Sequence, residues 1–295
     1  MLNEIVGFVS ISIIFVIGAP RSGTNMLRDM VTSFKGVKTW PCDEINYILR
    51  HGNLLHPTDE FSEKQATPKV KNYLKSTFEK FANDLNAELI IEKTCANSLR
   101  VPFLNNVFPE AKYIFILRDG IDATGSAKLR WTAKLDLGYI FKKVRFVPKT
   151  DLLYLGMRYL WARLHRFFSK EKRLAFWGPE LNDMQSILKK HSLNEVCALQ
   201  WQQCVEKADR ALKLLPQGQV CRVQYETFVK EPKLELSRIL NFMGIEASGQ
   251  QLEQAVVGVS SESVGKGRQL LGKDEVKNLE NLVGVTLSKF GYINK

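Results

Sequence analysis

The sequence predicts an α/β fold, in which helices flank a central parallel sheet. Two continuous apolar runs, Ile13–Ile17 and Tyr113–Leu117, are typical of strands that are covered on both faces. A loop and a helical pattern follow each run, beginning near Thr24 and near Ile121. Since strands that alternate with helices pair in parallel, these observations favour a parallel sheet.

The remaining elements continue this alternation. The sequence predicts helices over 68–87, 99–107 and 193–215, and short strands over 89–91 and 220–223. Residues from about 131 to 185 differ, because aromatic and basic side chains are concentrated there. This segment is interpreted as a helical insertion, or lid, over the sheet. We expect residues 1–295 to form one domain, since no repeat and no low-complexity linker divides them.

The composition is that of a basic, folded protein. Lys and Arg number 42 against 31 Asp and Glu, which gives a formal net charge of +11. Such an excess favours an anionic partner: nucleic acid, an acidic membrane surface, an acidic polymer or a phosphorylated nucleotide. A basic surface without such a partner is the alternative. Because 45% of the residues are hydrophobic, we do not expect disorder over most of the chain.

Cysteine usage and the N-terminal run bear on the compartment. The five cysteines form no CxxC pair, and with only four histidines a zinc site is not expected. The cysteines are interpreted as buried thiols of a reducing compartment. The apolar run from Ile5 to Ala19 lacks the basic residues of a signal peptide and is shorter than the roughly 20 residues of a membrane span. We therefore expect a soluble, cytoplasmic protein without a transmembrane segment.

Gly18 and Gly23 have the G-x-x-x-x-G spacing of a phosphate-binding loop, and they lie between a predicted strand and a predicted helix. In that context backbone N–H groups point at an anion, assisted by the helix N-terminus. A nucleotide triphosphatase would continue with Lys and Ser or Thr, whereas Thr24 and Asn25 stand here and a basic residue, Arg21, lies inside the loop. The pattern predicts a loop that binds a charged group without a metal; a purely structural turn is the alternative.

Two segments resemble motifs of sulfotransferases that use 3′-phosphoadenosine-5′-phosphosulfate (PAPS). Pro20–Thr24 resembles the 5′-phosphosulfate loop of that family, and Arg118–Ser126 resembles its 3′-phosphate motif. Val223–Glu226 is similar to the segment whose tyrosine lies by the adenine, and Gly265–Arg268 to the basic loop that closes over the nucleotide. The motifs occur in the family's order, and the resemblance extends from about residue 13 to residue 292.

This resemblance implies a P-loop-type central sheet and PAPS as the sulfuryl donor. It also implies which residues bind the nucleotide: Arg21, Ser22, Gly23, Thr24, Asn25, Arg118, Ser126, Tyr225, Lys266, Gly267 and Arg268. No metal site is implied. The insertion at about 131–185 would then form the acceptor lid.

Sulfuryl transfer requires a hydroxyl nucleophile, a base for its proton, and cations for the developing negative charge, by analogy with phosphoryl transfer. Glu44 resembles the base of the tyrosylprotein and glycan branches of the family, and Lys93 matches a lysine that reaches the sulfuryl group. Asn97, close to Lys93, could orient the acceptor. The alternative bases are Asp43, His51 and His56.

Other activities and other acceptors remain open at this stage. A P-loop kinase acting on a small molecule is one alternative, which the missing Lys-Ser/Thr speaks against. A basic nucleic-acid-binding protein is another, but the sequence contains no known nucleic-acid motif. The basic, aromatic lid and the Glu-type base favour a carbohydrate hydroxyl as acceptor, with a tyrosyl residue or a small alcohol as alternatives.

Overall fold

The computed structural model describes residues 11–131, 143–168 and 174–293. Its sheet has five parallel strands in the order β2-β3-β1-β4-β5. The strands are β1 Ser12–Ile17, β2 Val37–Lys38, β3 Leu89–Glu92, β4 Lys112–Leu117 and β5 Val220–Gln224. The predicted α/β class is confirmed, and four of the strands lie where the sequence predicts them. The two-residue strand β2 was not predicted.

Helices surround this sheet. They are α1 Thr24–Val31, α2 Asn46–Leu49, α3 Pro68–Leu85, α4 Val101–Val107, α5 Gly120–Trp131, α6 Leu152–Phe168, α7 Met184–Lys190, α8 Leu193–Leu212, α9 Tyr225–Lys230, α10 Pro232–Met243, α11 Gly249–Ala255, α12 Lys266–Leu271 and α13 Lys273–Lys289. Short 3₁₀ turns occur at Glu63–Gln65, Cys95–Leu99, Lys149–Asp151 and Ser261–Ser263.

The hydrophobic core consists of two clusters, one on each face of the sheet, because successive side chains of a strand point to opposite faces. In β1, Phe15 and Ile17 belong to one buried cluster, and Ile14 and Val16 belong to the other. All four side chains are at most 1% exposed. The continuous apolar run therefore reflects a strand with helices on both faces, as predicted.

The predicted insertion is helical over α6, whereas its described residues 174–183 form no helix and α7 begins only at its end. Residues 132–142 and 169–173 lie outside the described residues. Trp131, at the start of the insertion, is fully buried, but Trp161 in α6 is 62% exposed. That the insertion acts as an acceptor lid stays a prediction.

All five cysteines are free and buried. Within the described ranges, none of the helices is both long enough and apolar enough to cross a bilayer.

Candidate functional site

The candidate site lies at the carboxyl edge of the sheet. Because all the strands are parallel, the segments that follow β1, β3, β4 and β5 emerge at this one edge. Ligands of open α/β sheets bind in the crevice outside the carboxyl ends of the strands. The predicted motif residues after these strands are therefore neighbours in space.

The loop after β1 is tightly folded. Arg21 and Gly23 both have left-handed backbone angles, with φ of 69° and 87°. A Cβ atom on Gly18 would lie 2.9 Å from the carbonyl oxygen of Ile116, and one on Gly23 would lie 2.5 Å from the Tyr225 ring. Both glycines thus allow a close approach that any larger residue would prevent. The loop is pressed between β4 and the start of α9.

Two hydroxyls of the loop face inward. Ser22 is fully buried, and its Oγ has no hydrogen-bond partner among the described residues. Thr24, also buried, lies with its Oγ1 4.0 Å from Cys95 Sγ. A buried hydroxyl without a partner is costly, so Ser22 Oγ is suited to an anionic ligand bound in the loop. Helix α1 begins at Thr24 without a side-chain cap, so no capping side chain occupies its first N–H groups, which can bind an anion.

The predicted 3′-phosphate motif, Arg118–Ser126, is hydrogen-bonded directly to the loop. The Arg21 Nε donates to Ser126 Oγ at 2.8 Å, and an Arg118 guanidinium nitrogen donates to the Arg21 carbonyl at 3.1 Å. Arg118 lies 4.4 Å over the Tyr225 ring, and its buried Nε has no described partner. Four predicted nucleotide residues therefore form one cluster, and Arg118 and Ser22 each retain one unused polar atom there.

The C-terminal segment closes over this cluster. A second Arg118 nitrogen donates to the Ser263 carbonyl at 2.7 Å, and the Tyr225 hydroxyl lies 2.5 Å from Ser263 Oγ. Gly267 packs so closely on α5 that a Cβ there would lie 2.4 Å from the Asp122 Cα. The Asp122 carboxylate accepts hydrogen bonds from the N–H groups of Gly265 and Arg268 at 2.5 and 3.2 Å. The predicted closing loop is thus fixed to the 3′-phosphate motif.

The two basic residues of the closing loop differ. Arg268 is held by Asp119, with Nε to Oδ2 at 3.0 Å, and by Glu280. The Lys266 side chain is 58% exposed and has its nearest carboxylate, on Glu262, at 3.6 Å. Lys266 is therefore the more available cation of the pair.

A charged cluster lies beside the loop, after β3. Lys93 Nζ is 3.2 Å from Glu44 Oε1 and 3.2 Å from Asp43 Oδ1. The backbone N–H of Cys95 also donates to Glu44 Oε1, at 3.2 Å. The Lys93 side chain is only 2% exposed, whereas 25% of the Glu44 side chain is exposed. The two residues predicted for the reaction are thus in contact, with the carboxylate on the outer side.

Electrostatics keep this cluster ionised. Burial raises the pKa of the Glu44 carboxyl, but the positive charges of Lys93 and Lys143 lower it further, so that the net pKa falls below its ordinary value. Asp43 behaves in the same way, since burial is outweighed by Lys93 and Arg28. For Lys93, burial lowers the pKa, but the two carboxylates raise it above the usual range. Glu44 is therefore ionised at neutral pH, as a base requires.

Helix α1 links the loop to the charged cluster. The Asn25 amide donates to Asp43 Oδ1 at 2.8 Å, and Arg28 donates to the same oxygen at 3.1 Å. The side chain of Asn25, predicted from the motif as a nucleotide residue, is thus directed to Asp43. Asp43 is consequently held by three donors, Asn25, Arg28 and Lys93.

The alternative histidine bases belong to another part of the surface. His51 Nδ1 lies 2.7 Å from Asp151 Oδ2, and His56 Nδ1 lies 2.9 Å from the Thr58 carbonyl oxygen. Both line a separate depression of about 510 Å³ together with Leu54 and Leu55. None of the described hydrogen bonds joins either histidine to Glu44 or Lys93.

A buried polar network supports the charged cluster from beneath. Glu92 accepts hydrogen bonds from Thr94, at 2.5 Å, and from Asn97, whose own amide oxygen accepts from Arg100 at 2.8 Å. Burial raises the pKa of Glu92 to about 7. Thr94 Oγ1 also accepts from the N–H of Ile45 at 3.1 Å. Because Asn97 is fully buried in this network, it positions the backbone around Glu44 and does not reach the exposed side of the cluster.

Two residues of the site escape sequence reasoning. Lys143 lowers the pKa of Glu44 from within the insertion, where the sequence showed only a general excess of basic residues. Trp201, on α8, donates from Nε1 to the Arg118 carbonyl at 3.1 Å and lies against Gly120. An apolar position in a long helix gives no signal of such a role. The carboxylate of Asp122, by contrast, stands inside the quoted motif and could have been singled out there.

Comparisons with known proteins agree with this geometry. A model described as the sulfotransferase family matches residues 13–176 and 164–249. No curated protein sequence matches.

Several solved structures share the fold. The sulfotransferase domain from the curacin biosynthetic pathway has a TM-score of 0.55 at 14% identity, over 93% of this chain and 98% of that one. The sulfotransferase domain of the Synechococcus PCC 7002 olefin synthase has a TM-score of 0.54 at 15% identity, over 96% of each chain. A mouse sulfotransferase complexed with PAP has a TM-score of 0.50 at 11% identity, over 94% of this chain and 85% of that one. The family match spans most of the chain and includes both anion motifs, and the chain therefore belongs to the sulfotransferase family.

Proposed function

We propose that this protein transfers a sulfuryl group from PAPS to an acceptor hydroxyl. The observation that carries the proposal is the contact between the two anion motifs, in which Arg21 donates to Ser126 and Arg118 donates to the Arg21 backbone. This arrangement suits a donor with phosphate groups at two separate positions. The structurally similar mouse sulfotransferase is complexed with PAP, the desulfonated form of that donor.

The donor site is assigned residue by residue. The loop with Arg21, Ser22, Gly23 and Thr24 would hold the 5′-phosphosulfate, since the buried Ser22 Oγ has no partner among the described residues and helix α1 begins there without a side-chain cap. Arg118 and Ser126 would hold the 3′-phosphate.

Three further groups complete this donor site. Tyr225, whose ring lies under Arg118 and against Gly23, would border the adenine. Lys266, Gly267 and Arg268 would close the site, with Lys266 as the more exposed cation. Asn25 would act through its contact with Asp43.

Glu44 is proposed as the general base. It is ionised, partly exposed and fixed by both Lys93 and the Cys95 N–H. In the reaction, Glu44 accepts the proton of the acceptor hydroxyl. The oxygen of that hydroxyl forms the new bond to sulfur, while the bond from sulfur to the leaving phosphate oxygen breaks. Lys93 would supply positive charge to the sulfuryl oxygens, since it lies against the base and next to the loop.

The acceptor is proposed to be a carbohydrate hydroxyl. Support comes from the Glu-type base and from the basic, aromatic insertion that contributes Lys143 to the charged cluster. A tyrosyl residue or a small alcohol is the alternative acceptor. A cytoplasmic location is proposed as well, because all five buried cysteines are free.

The decisive experiment is transfer from ³⁵S-labelled PAPS to a panel of acceptors in excess EDTA. The panel contains a desulfated acidic oligosaccharide, a tyrosyl peptide and a small alcohol. We expect label on the oligosaccharide and no need for a metal, since Thr24 and Asn25 replace the residues that place Mg²⁺ in nucleotide triphosphatases. Label on another acceptor would correct only the acceptor. Transfer of phosphate from ATP that requires Mg²⁺ would favour the kinase instead.

A further inference from the structure

Helix α6 presents a large apolar face to solvent. We call this face the α6 stripe, and its members recur at intervals of three and four residues. Their exposed fractions are Leu153 75%, Met157 58%, Leu160 59%, Trp161 62% and Leu164 44%. The helix joins the protein by another face, where Ala162 is 5% exposed and Leu155 packs against the core. The stripe is therefore additional to the packing that holds α6 in place.

The exposed charges just before the α6 stripe have one sign. Between positions 143 and 168 the sequence contains a single acidic residue, Asp151, which is 3% exposed and paired with His51. Arg145 and Lys149 are exposed just before the helix. Helix α6 itself contains no Asp or Glu, and its Arg158 forms an ion pair with Glu180. The accessible surface of this segment is consequently apolar and positive.

This combination is characteristic of helices that lie in a membrane interface. Such helices join a basic polar face to an apolar face with Trp, Phe and Leu. Tryptophan prefers the headgroup level, where its ring is half in contact with the acyl chains. Soluble monomers rarely expose contiguous apolar patches of more than a few hundred Å². The α6 stripe thus requires a covering surface that also accepts positive charge.

We propose that the α6 stripe docks onto an anionic lipid surface. The helix would lie in the plane of the interface, with Leu153, Leu160 and Trp161 among the acyl chains and Arg145 and Lys149 at the headgroups. Arg145 and Lys149 would add electrostatic attraction that decreases with ionic strength. Docking of this kind fits the proposed cytoplasmic location, because the cytoplasmic leaflet is the anionic one.

A second copy of the chain is a poorer occupant of the same face. A twofold interface brings the same patch of both copies together. Arg145 and Lys149 of one copy would then lie close to the same positive residues of the other copy and repel them. The segment has no exposed acidic residue to offset this charge. Lipid phosphates offset that charge.

Co-sedimentation with vesicles tests the proposal without any activity measurement. Vesicles of phosphatidylcholine with about 30% phosphatidylglycerol are compared with pure phosphatidylcholine vesicles. We expect binding of the full chain to the anionic vesicles, weakened when salt rises from about 0.05 to 0.5 M. The double variant Leu153→Ser with Leu160→Ser should reduce binding about tenfold or more, because two acyl-contacting side chains are lost.

A matched control separates the α6 stripe from general surface apolarity. Leu214 and Leu234 are 83% and 64% exposed and lie outside the segment. The double variant Leu214→Ser with Leu234→Ser should bind the anionic vesicles like the wild type. Thermal unfolding of both variants should match the wild type, since all four leucines are exposed.

Tryptophan emission gives a second reading on the unmodified protein. Trp161 is 62% exposed, while Trp40, Trp131 and Trp201 are at most 4% exposed and Trp177 is half-buried. Anionic vesicles should move the emission to shorter wavelength, and Trp161→Phe should abolish that movement while binding persists. Absence of wild-type binding, equal binding by the stripe variant, or a solution dimer that Leu160→Asp separates would each overturn the proposal.

Discussion

Arg21 Nε donates a hydrogen bond of 2.8 Å to the hydroxyl of Ser126, although the two residues are 105 positions apart. Each belongs to a different anion motif of the sequence, one after β1 and one on α5. Because the same arginine also receives a hydrogen bond from Arg118 on its carbonyl, the motifs form one continuous polar surface. The binding positions that the two motifs offer therefore lie side by side.

The first prediction concerns the donor. Arg118→Ala should weaken the binding of 3′,5′-diphosphoadenosine about tenfold or more, because an ion-assisted hydrogen bond contributes roughly 1.5–3 kcal/mol. The affinity for adenosine 5′-phosphate, which is expected to be weak, should change little. Calorimetry measures both, with Arg210→Ala, an exposed arginine of α8, as the control. Equal affinity of the wild type for the two nucleotides would contradict the assignment of Arg118 and Ser126.

The second prediction concerns the base. Glu44→Gln should lower kcat about 10²–10⁴-fold, the range typical of general-base catalysis, with nucleotide affinity near that of the wild type. Asp43→Asn should lose far less, since Asp43 is already held by Arg28 and Asn25. His51→Ala and His56→Ala should also lose far less. Single-turnover kinetics with saturating PAPS would measure each, and full turnover in Glu44→Gln would move the search to His51.

The third prediction is a pH dependence. The lowered pKa of Glu44 means that its carboxylate persists until the pH falls below the ordinary carboxyl range, so kcat should be flat through weakly acidic pH. Lys93→Met removes the main cation that lowers this pKa. The acidic decline of kcat should therefore shift to higher pH, and kcat itself should fall about 10²–10³-fold through lost stabilisation of charge. An unchanged acidic decline would mean that another group titrates.

The fourth prediction concerns the closing loop. Gly267→Ala would place a Cβ atom 2.4 Å from the Asp122 Cα, so α12 must move away from α5. We expect a stability loss of about 1–3 kcal/mol and weaker nucleotide binding. Gly249→Ala is the control, because its Cβ would meet nothing within 4 Å. Urea unfolding and calorimetry measure the two effects, and a Gly267→Ala protein as stable as the control would refute the tight crossing.

The sequence predicts the framework of this fold better than its short elements. β1 and β4 were predictable because buried parallel strands are continuous apolar runs. β2 has only two residues, Val37 and Lys38, too few to form a pattern. The predicted helix at 99–107 begins in fact at Val101, since Arg100 has φ of −140° and separates α4 from the preceding 3₁₀ turn.

The same distinction applies to the candidate site. Arg21, Arg118 and Ser126 could be named because parallel strands bring their following segments to one edge. That Asn25 contacts Asp43, and that Arg268 is held by Asp119, depends on side-chain packing between distant elements. The charge of Lys143 lowers the pKa of Glu44 from an insertion in which no periodicity marks that lysine. Motifs placed by the sheet were therefore accessible to sequence reasoning, and contacts made across the insertion were not.

The crossing of α12 over α5 also sets a time at which the nucleotide site can exist. The hydrogen bond from Gly265 to Asp122 joins residues 143 positions apart. At about 5–20 residues per second, a ribosome needs on the order of ten seconds to add that stretch after α5 has emerged. Throughout that interval the growing chain contains both anion motifs but not the segment that covers them. A chain interrupted before Ser263 and α12 would consequently keep Arg118 and Tyr225 open to water.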